Sequence, residues 1–313
     1  MPILAGTPQT GTTLADLIAE TQRHLTNYQR PPMNRLSEGV TAEATTLALE
    51  FETGNLQAGH LVEIDLELIY VWSVDRASKT ATVERAQAGS RAASHAAAAV
   101  VKLNPKFPDF AIAKAINDDL RDLSSPVNGL YAVRTLELLA TANSIGYDLA
   151  DAEGFMEVLD VRTKHIGYAR DWQTLTNYQI DSQVSSTDFP SGTALTLYDG
   201  VMPGQGIRVL YKSSFSPLTL LTDNVEEVAG LSPTMLDLPP MGAAIKLVVT
   251  RDIRRSFYEE QGDSRRAEEV PPGSATSALR GIAGERARRI TAEASRLAQL
   301  YPERTYIPMP GLW

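Results

Sequence analysis

Apolar positions along this chain switch between two periods, and the switches divide it. After Thr12 and Thr13, Leu14, Leu17, Ile18 and Leu25 fall on one stripe at helical spacing, so a capped amphipathic helix is expected first. Pro31 and Pro32 end anything helical before residue 33. From about 40 to 104 the period falls to two. Residues 45–51 alternate, and Val62, Ile64, Leu66 and Leu68 share a face opposite Glu63, Asp65 and Glu67. Residues 71–86 read as two strands around a hairpin at 76–79, and residues 96–103 close the segment before Asn104-Pro105.

A helical period returns after Pro108-Asp109, where Phe110, Ile112, Ala113, Ile116 and Leu120 mark a face to bury. Residues 127–140 fit either a short helix or the first strand of a further sheet. Residues 145–218 are β-like again, with short runs at 155–163, 175–181, 193–200 and 206–212 that suggest a small sandwich or barrel. The last third predicts a short helical turn at 224–231, a long helix over 236–261, a polar Pro/Gly break at 265–273 and a final helix over 274–301. The expected fold is α+β: a helical core with two inserted sandwich- or barrel-like modules and an extended C-terminal arm. The segments are an N-terminal helix (1–32), a first β module (33–104), helical core (105–144), a second β module (145–218), C-terminal helical core (219–301) and the arm (302–313).

Composition narrows what such a chain does. A net charge of −9 argues against general nucleic-acid binding, because a phosphate-reading surface needs clustered excess Lys and Arg. The absence of cysteine removes disulfides, thiol nucleophiles and thiolate metal sites. The first residues lack the charged and apolar regions of a signal peptide, and no run approaches the apolar length of a membrane span. No membrane partner is expected.

Candidate chemistry is sparse. His24, His60, His95 and His165 show no paired metal-ligand spacing, and the Glu63, Asp65, Glu67 row reads as a solvent-facing edge rather than a cation site. Gly204-Gln205-Gly206 is a turn, not a phosphate loop. The expectation is a protein without catalytic residues, cofactor or metal. Arg286, Arg288 and Arg289 cluster on the final helix, either as a face toward a channel or acidic partner, or as a solvated face paired with Glu285 and Glu293. The arm carries Tyr306, Ile307, Met309, Leu312 and Trp313 among Pro302, Pro308 and Pro310. Prolines reduce the ordering cost of such a segment and aromatics anchor interfaces, so these five side chains are expected to bind a partner protein or a neighbouring subunit.

The stretch from Gly59 to Val101 resembles a module widespread in the neck and tail proteins of tailed bacteriophages. The resemblance rests on Ile64-Asp65-Leu66-Glu67, Val71-Trp72-Ser73-Val74, Thr82-Val83-Glu84-Arg85, Gly89-Ser90-Arg91-Ala92-Ala93-Ser94-His95 and Val100-Val101. Two positions depart from the pattern, Ala86 where glycine is usual and Arg91 where threonine is found. The helix after Pro108, the Leu236-Asp237-Leu238-Pro239-Pro240 start of the long helix and the final Arg/Ala helix with its Pro-rich arm are similar to parts of head-to-tail connector adaptors. That resemblance implies a structural virion protein of the neck, made in the host cytoplasm. It implies a homo-oligomeric ring, twelve-fold by family analogy, between the portal and a downstream neck or tail protein. DNA would pass its central channel only as a transient, non-specific passenger, and the arm would grip the portal. Two alternatives stay open: a minor tail or baseplate protein, and a carbohydrate-binding β module using Trp172, Tyr178 and Tyr198 with Asp171, Asp181, Asp188 and Asp199.

Overall fold

The computed structural model describes residues 11–26, 31–142, 146–164, 172–198, 201–259 and 274–302, with side chains of 249–259 and 274–279 left aside. It corrects the expected architecture. Helices make up only 29% of the chain, and the molecule is mostly β. Three sheets of six, four and three strands carry it. The two β regions own separate hydrophobic cores, so they are not modules decorating a helical one.

The chain divides into two compact units. Unit 1 takes 1–120, 217–228 and 233–288, and unit 2 takes 121–216, 229–232 and 289–313. In unit 1, helix α1 (Leu14–Thr26) begins with a reciprocal cap. The Thr13 N–H donates to Asp16 Oδ2 at 2.9 Å, and the Asp16 N–H donates to Thr13 Oγ1 at 3.3 Å. Leu14, Leu17 and Ile18 are buried, and α1 packs against α3 (Leu238–Glu259). Pro239 and Pro240 stand in the first turn of α3, where a missing N–H costs nothing.

The six strands of unit 1 are β1 (Met33–Arg35), β2 (Thr46–Ala48), β3 (Leu61–Ile64), β4 (Glu67–Asp75), β5 (Thr80–Glu84) and β6 (Val100–Leu103), in spatial order β1-β6-β3-β4-β5-β2. The sheet curls until its edge strands meet. Leu36 bridges Leu49, the Ser37 N–H donates to the Ala48 carbonyl at 2.9 Å, and the Glu50 N–H donates to the Arg35 carbonyl at 2.9 Å. The buried Asn34 side chain stitches the same seam, accepting from the Phe51 N–H (3.1 Å) and donating to the Phe51 carbonyl (3.2 Å). Closure removes the open strand edges, and Leu47, Val62, Ile64, Ile69, Val71, Val83 and Val101 fill the inside.

Unit 2 is built on β7 (Ala132–Leu139), β8 (Tyr147–Asp148), β9 (Phe155–Lys164), β10 (Trp172–Thr174), β11 (Tyr178–Asp181), β12 (Ala194–Leu197) and β13 (Gly206–Ser213). One sheet runs β10-β9-β13-β7 and the other β11-β12-β8. Val161, Ile207, Val209 and Tyr211 of the first meet Leu149 and Leu195 of the second, a small sandwich. Its longest pairing joins β13 to β7, so residues 132–139 are a strand, the second of the two readings left open for 127–140. Short apolar runs do not distinguish a buried strand from a buried helix segment. The final helix α4 (Ser274–Leu300) spans the boundary between the units.

Candidate functional site

The row expected to face solvent is instead split: Asp65 stays exposed, while Glu63 and Glu67 are buried on opposite faces. Asp65 and Leu66 form a two-residue turn in which Ile64 pairs with Glu67, and Asp65 adopts φ 54°. Antiparallel partners point to the same side of a sheet, so Glu67 shares the barrel-interior face with Ile64, Ile69 and Val71. Glu63 pairs with Leu68 and Lys102 on the outer face. Both glutamates are within 2% of full burial.

Glu67 closes one mouth of the barrel through an ionic knot. Arg85 donates from Nε to Oε1 and from Nη2 to Oε2, 2.7 Å each, a bidentate pair. The Ala93 N–H reaches Oε2 at 3.1 Å, and His95 Nε2 lies 2.9 Å from the same oxygen. His95 Nδ1 lies 2.9 Å from Asp65 Oδ2, so each ring nitrogen meets a carboxylate. Arg85 also donates to the Thr41 carbonyl (2.7 Å) and the Ala93 carbonyl (2.6 Å), and the His95 backbone bridges Val40. Burial pushes the Glu67 carboxyl up, but the hydrogen bonds from Arg85, His95 and the Ala93 N–H outweigh it and leave it below the ordinary range. Above this knot, Ser90 Oγ accepts from the Leu68 N–H at 3.0 Å.

Glu63 does different work on the outside. Helix α2 (Asp109–Leu123) lies over it, and the Asp109 and Phe110 N–H groups donate to its two oxygens at 2.8 and 2.7 Å. The strand glutamate thus caps the first turn of the helix, whose N–H groups have no intrahelical partner. Burial first, then the Asp109 charge, raises the Glu63 carboxyl from 4.5 to about 7 against the two N–H donors and Lys102.

The motif residues singled out from sequence, Ile64 to Glu67, Arg85 and Gly89 to His95, therefore converge on one end of one barrel. Glu67, Arg85 and His95 pair with one another and with backbone, and among the described residues no group of three or more His, Asp or Glu side chains is arranged to hold a metal. The interior placement of Glu67 and the capping role of Glu63 were missed. The available signal was Asp65, a residue that tolerates left-handed backbone at a tight turn.

The arginines of α4 separate. Arg286 turns inward, donating from Nη2 to Asp119 Oδ1 at 2.8 Å, with Asp119 only 1% exposed on α2. Arg288 is solvated and pairs with Glu285, while Arg289 is half-buried. Three residues on one helix thus take three environments. Tyr306, Ile307, Met309, Leu312 and Trp313 lie outside the described residues. The aromatics of the sugar-binding alternative do not share a platform: Trp172 belongs to the four-stranded sheet, with the Arg208 guanidinium 3.9 Å from its ring, while Tyr178 belongs to the other sheet and Tyr198 directly follows its strand β12.

A scan against protein-family models finds no match for this chain, and a search of curated proteins finds none either. Among the described residues no helix is long and apolar enough to cross a membrane.

Proposed function

We propose that this chain is a structural, non-enzymatic protein of a tailed-phage particle, the head-to-tail adaptor. On this reading it forms a homo-oligomeric ring between portal and tail, and the ring keeps a channel for DNA. The observation that carries the reading is the convergence of Asp65, Glu67, Arg85 and His95 on one barrel mouth. These are the residues on which the resemblance to phage neck and tail modules rests, and their mutual pairing gives the motif a structural reason: it ties the loop from Gly89 to His95 onto the β3–β4 turn. A buried knot whose donors and acceptors satisfy one another rigidifies a fold.

A rigid barrel, a separate sandwich and an aromatic Pro-rich arm are parts suited to assembly rather than turnover. The arm residues Tyr306, Ile307, Met309, Leu312 and Trp313 are the proposed contacts to portal or neighbour. The test is to incubate the full chain with portal-bearing, tail-less heads and image the portal vertex. A ring of density seated on the portal supports the adaptor reading. Binding only to finished tails or baseplates favours the minor tail protein, and binding to neither overturns both.

A further inference from the structure

Unit 2 carries a groove of about 630 Å³ that none of the described residues fills. Its apolar wall is Pro126, Leu130, Tyr131, Met156 and Ala298, and its rim includes Tyr301 and Pro302 at the end of α4. Lys212 borders it, held at 2.7 Å by Glu157 and set over the Tyr131 ring at 5.1 Å. Met156 and Ala298 remain open to solvent although both line the groove. Aromatic and proline side chains beside a shallow apolar trough are the surface that receives Pro-rich extended segments. Its size lies in the range of sites that take a handful of side chains.

We infer that this groove receives the C-terminal arm, residues 303–313, of a second copy of the chain. Three observations select that occupant. The arm offers the matching chemistry, with Tyr306, Ile307, Met309, Leu312 and Trp313 around Pro308 and Pro310. It departs from the groove's own rim, since Pro302 is part of the lining. Its eleven residues span up to about 36 Å when extended, enough to reach an adjacent subunit. An arm that leaves one copy and enters the next makes a head-to-tail contact, and such contacts close into rings when the rotation allows. The inference deepens the adaptor reading and rests on it only for ring closure; the arm's location is read independently.

The chain has no cysteine, so introduced ones report without background. Full-length Ala298→Cys protein is mixed with full-length Met309→Cys protein and, separately, with Leu312→Cys protein, over a range of concentrations, then oxidised. Ala298 faces solvent, and unchanged circular dichroism verifies that the substitution leaves the fold intact. The expected result is a disulfide-linked dimer of the two different variants in at least one mixture, abolished when the groove partner also carries Met156→Arg or Tyr131→Ala. A double variant (Ala298→Cys with Met309→Cys, or with Leu312→Cys) that oxidises wholly within one chain, with no mixed dimer, overturns the inference. So does the absence of any link at all concentrations. Failure to load onto heads would sink the adaptor reading while leaving a mixed disulfide, and the groove's occupant, intact.

Discussion

Arg85 and Glu67 show how much of this fold rests on single charges. Replacing Arg85 by Ala leaves the Glu67 carboxylate buried without its bidentate partner, and losing one member of a buried pair costs about 3–5 kcal/mol. Chemical denaturation of Arg85→Ala should show a loss of that order, whereas an unchanged midpoint would mean that the knot contributes nothing. Glu63 and Glu67 also pull stability in opposite directions with pH. Glu63, raised to about 7 in the fold, favours folding below its ordinary 4.5, and that contribution is lost as pH climbs from 4.5 through 7. Glu67, held low, contributes above its ordinary value and loses the contribution as pH falls through its lower folded value. Glu63→Gln should therefore flatten the decline in stability between about pH 4.5 and 7; an unaltered slope would contradict the assignment. In the sequence the alternation from Val62 to Leu68 was plain, but the turn inside it was not. Asp65-Leu66 reverses the chain without interrupting the alternating text, so Glu63 and Glu67 read as neighbours on one face when they stand on opposite faces of a barrel wall.

At the scale of elements, helix ends and close approaches set the constraints. Glu63→Ala would remove the acceptor for two buried N–H groups of α2, each costing about 1–3 kcal/mol when left unsatisfied. Local hydrogen exchange over residues 109–112 should rise well before the rest of the helix opens, and uniform exchange along α2 would argue against the cap. Gly242 of α3 has a different reason: a Cβ there would run into the Asp119 carboxylate of α2. Gly242→Ala, ordinarily favourable in a helix, should be destabilising here, and a rise in melting temperature would contradict the packing. α1, α2, α3 and α4 were legible because 3.6-residue stripes and capping residues are local signals. β7 stayed open between helix and strand, because its assignment depends on eight residue pairs with β13, more than sixty positions away in the chain. The balance between helix and sheet was misjudged for the same reason. Long helices are conspicuous in a sequence, while the bridges that curl β1 toward β2 leave no local trace.

For the molecule as a whole, the arm and its groove link the fold to assembly. Ending the chain at Tyr301 should leave the far-ultraviolet spectrum and unfolding midpoint close to those of the full chain while abolishing stable loading onto heads, because Tyr306, Ile307, Met309, Leu312 and Trp313 would be lost as anchors. A truncated chain that unfolds would place the arm in the subunit's own core instead. Arg286, read from sequence as part of a channel-facing or acidic-partner cluster, holds α4 to α2 through Asp119. Its loss is expected to act first on stability, and Arg288 is the better probe of any channel surface. The most direct measurement of the central claim is a cryo-electron microscopy reconstruction of the parent particle's neck, with this chain's barrel and sandwich fitted into the density. The account predicts a closed ring of copies seated on the portal, each arm crossing to a neighbouring copy around an open central channel. Density for this chain only at the distal end of the tail, or in no virion component at all, would contradict it.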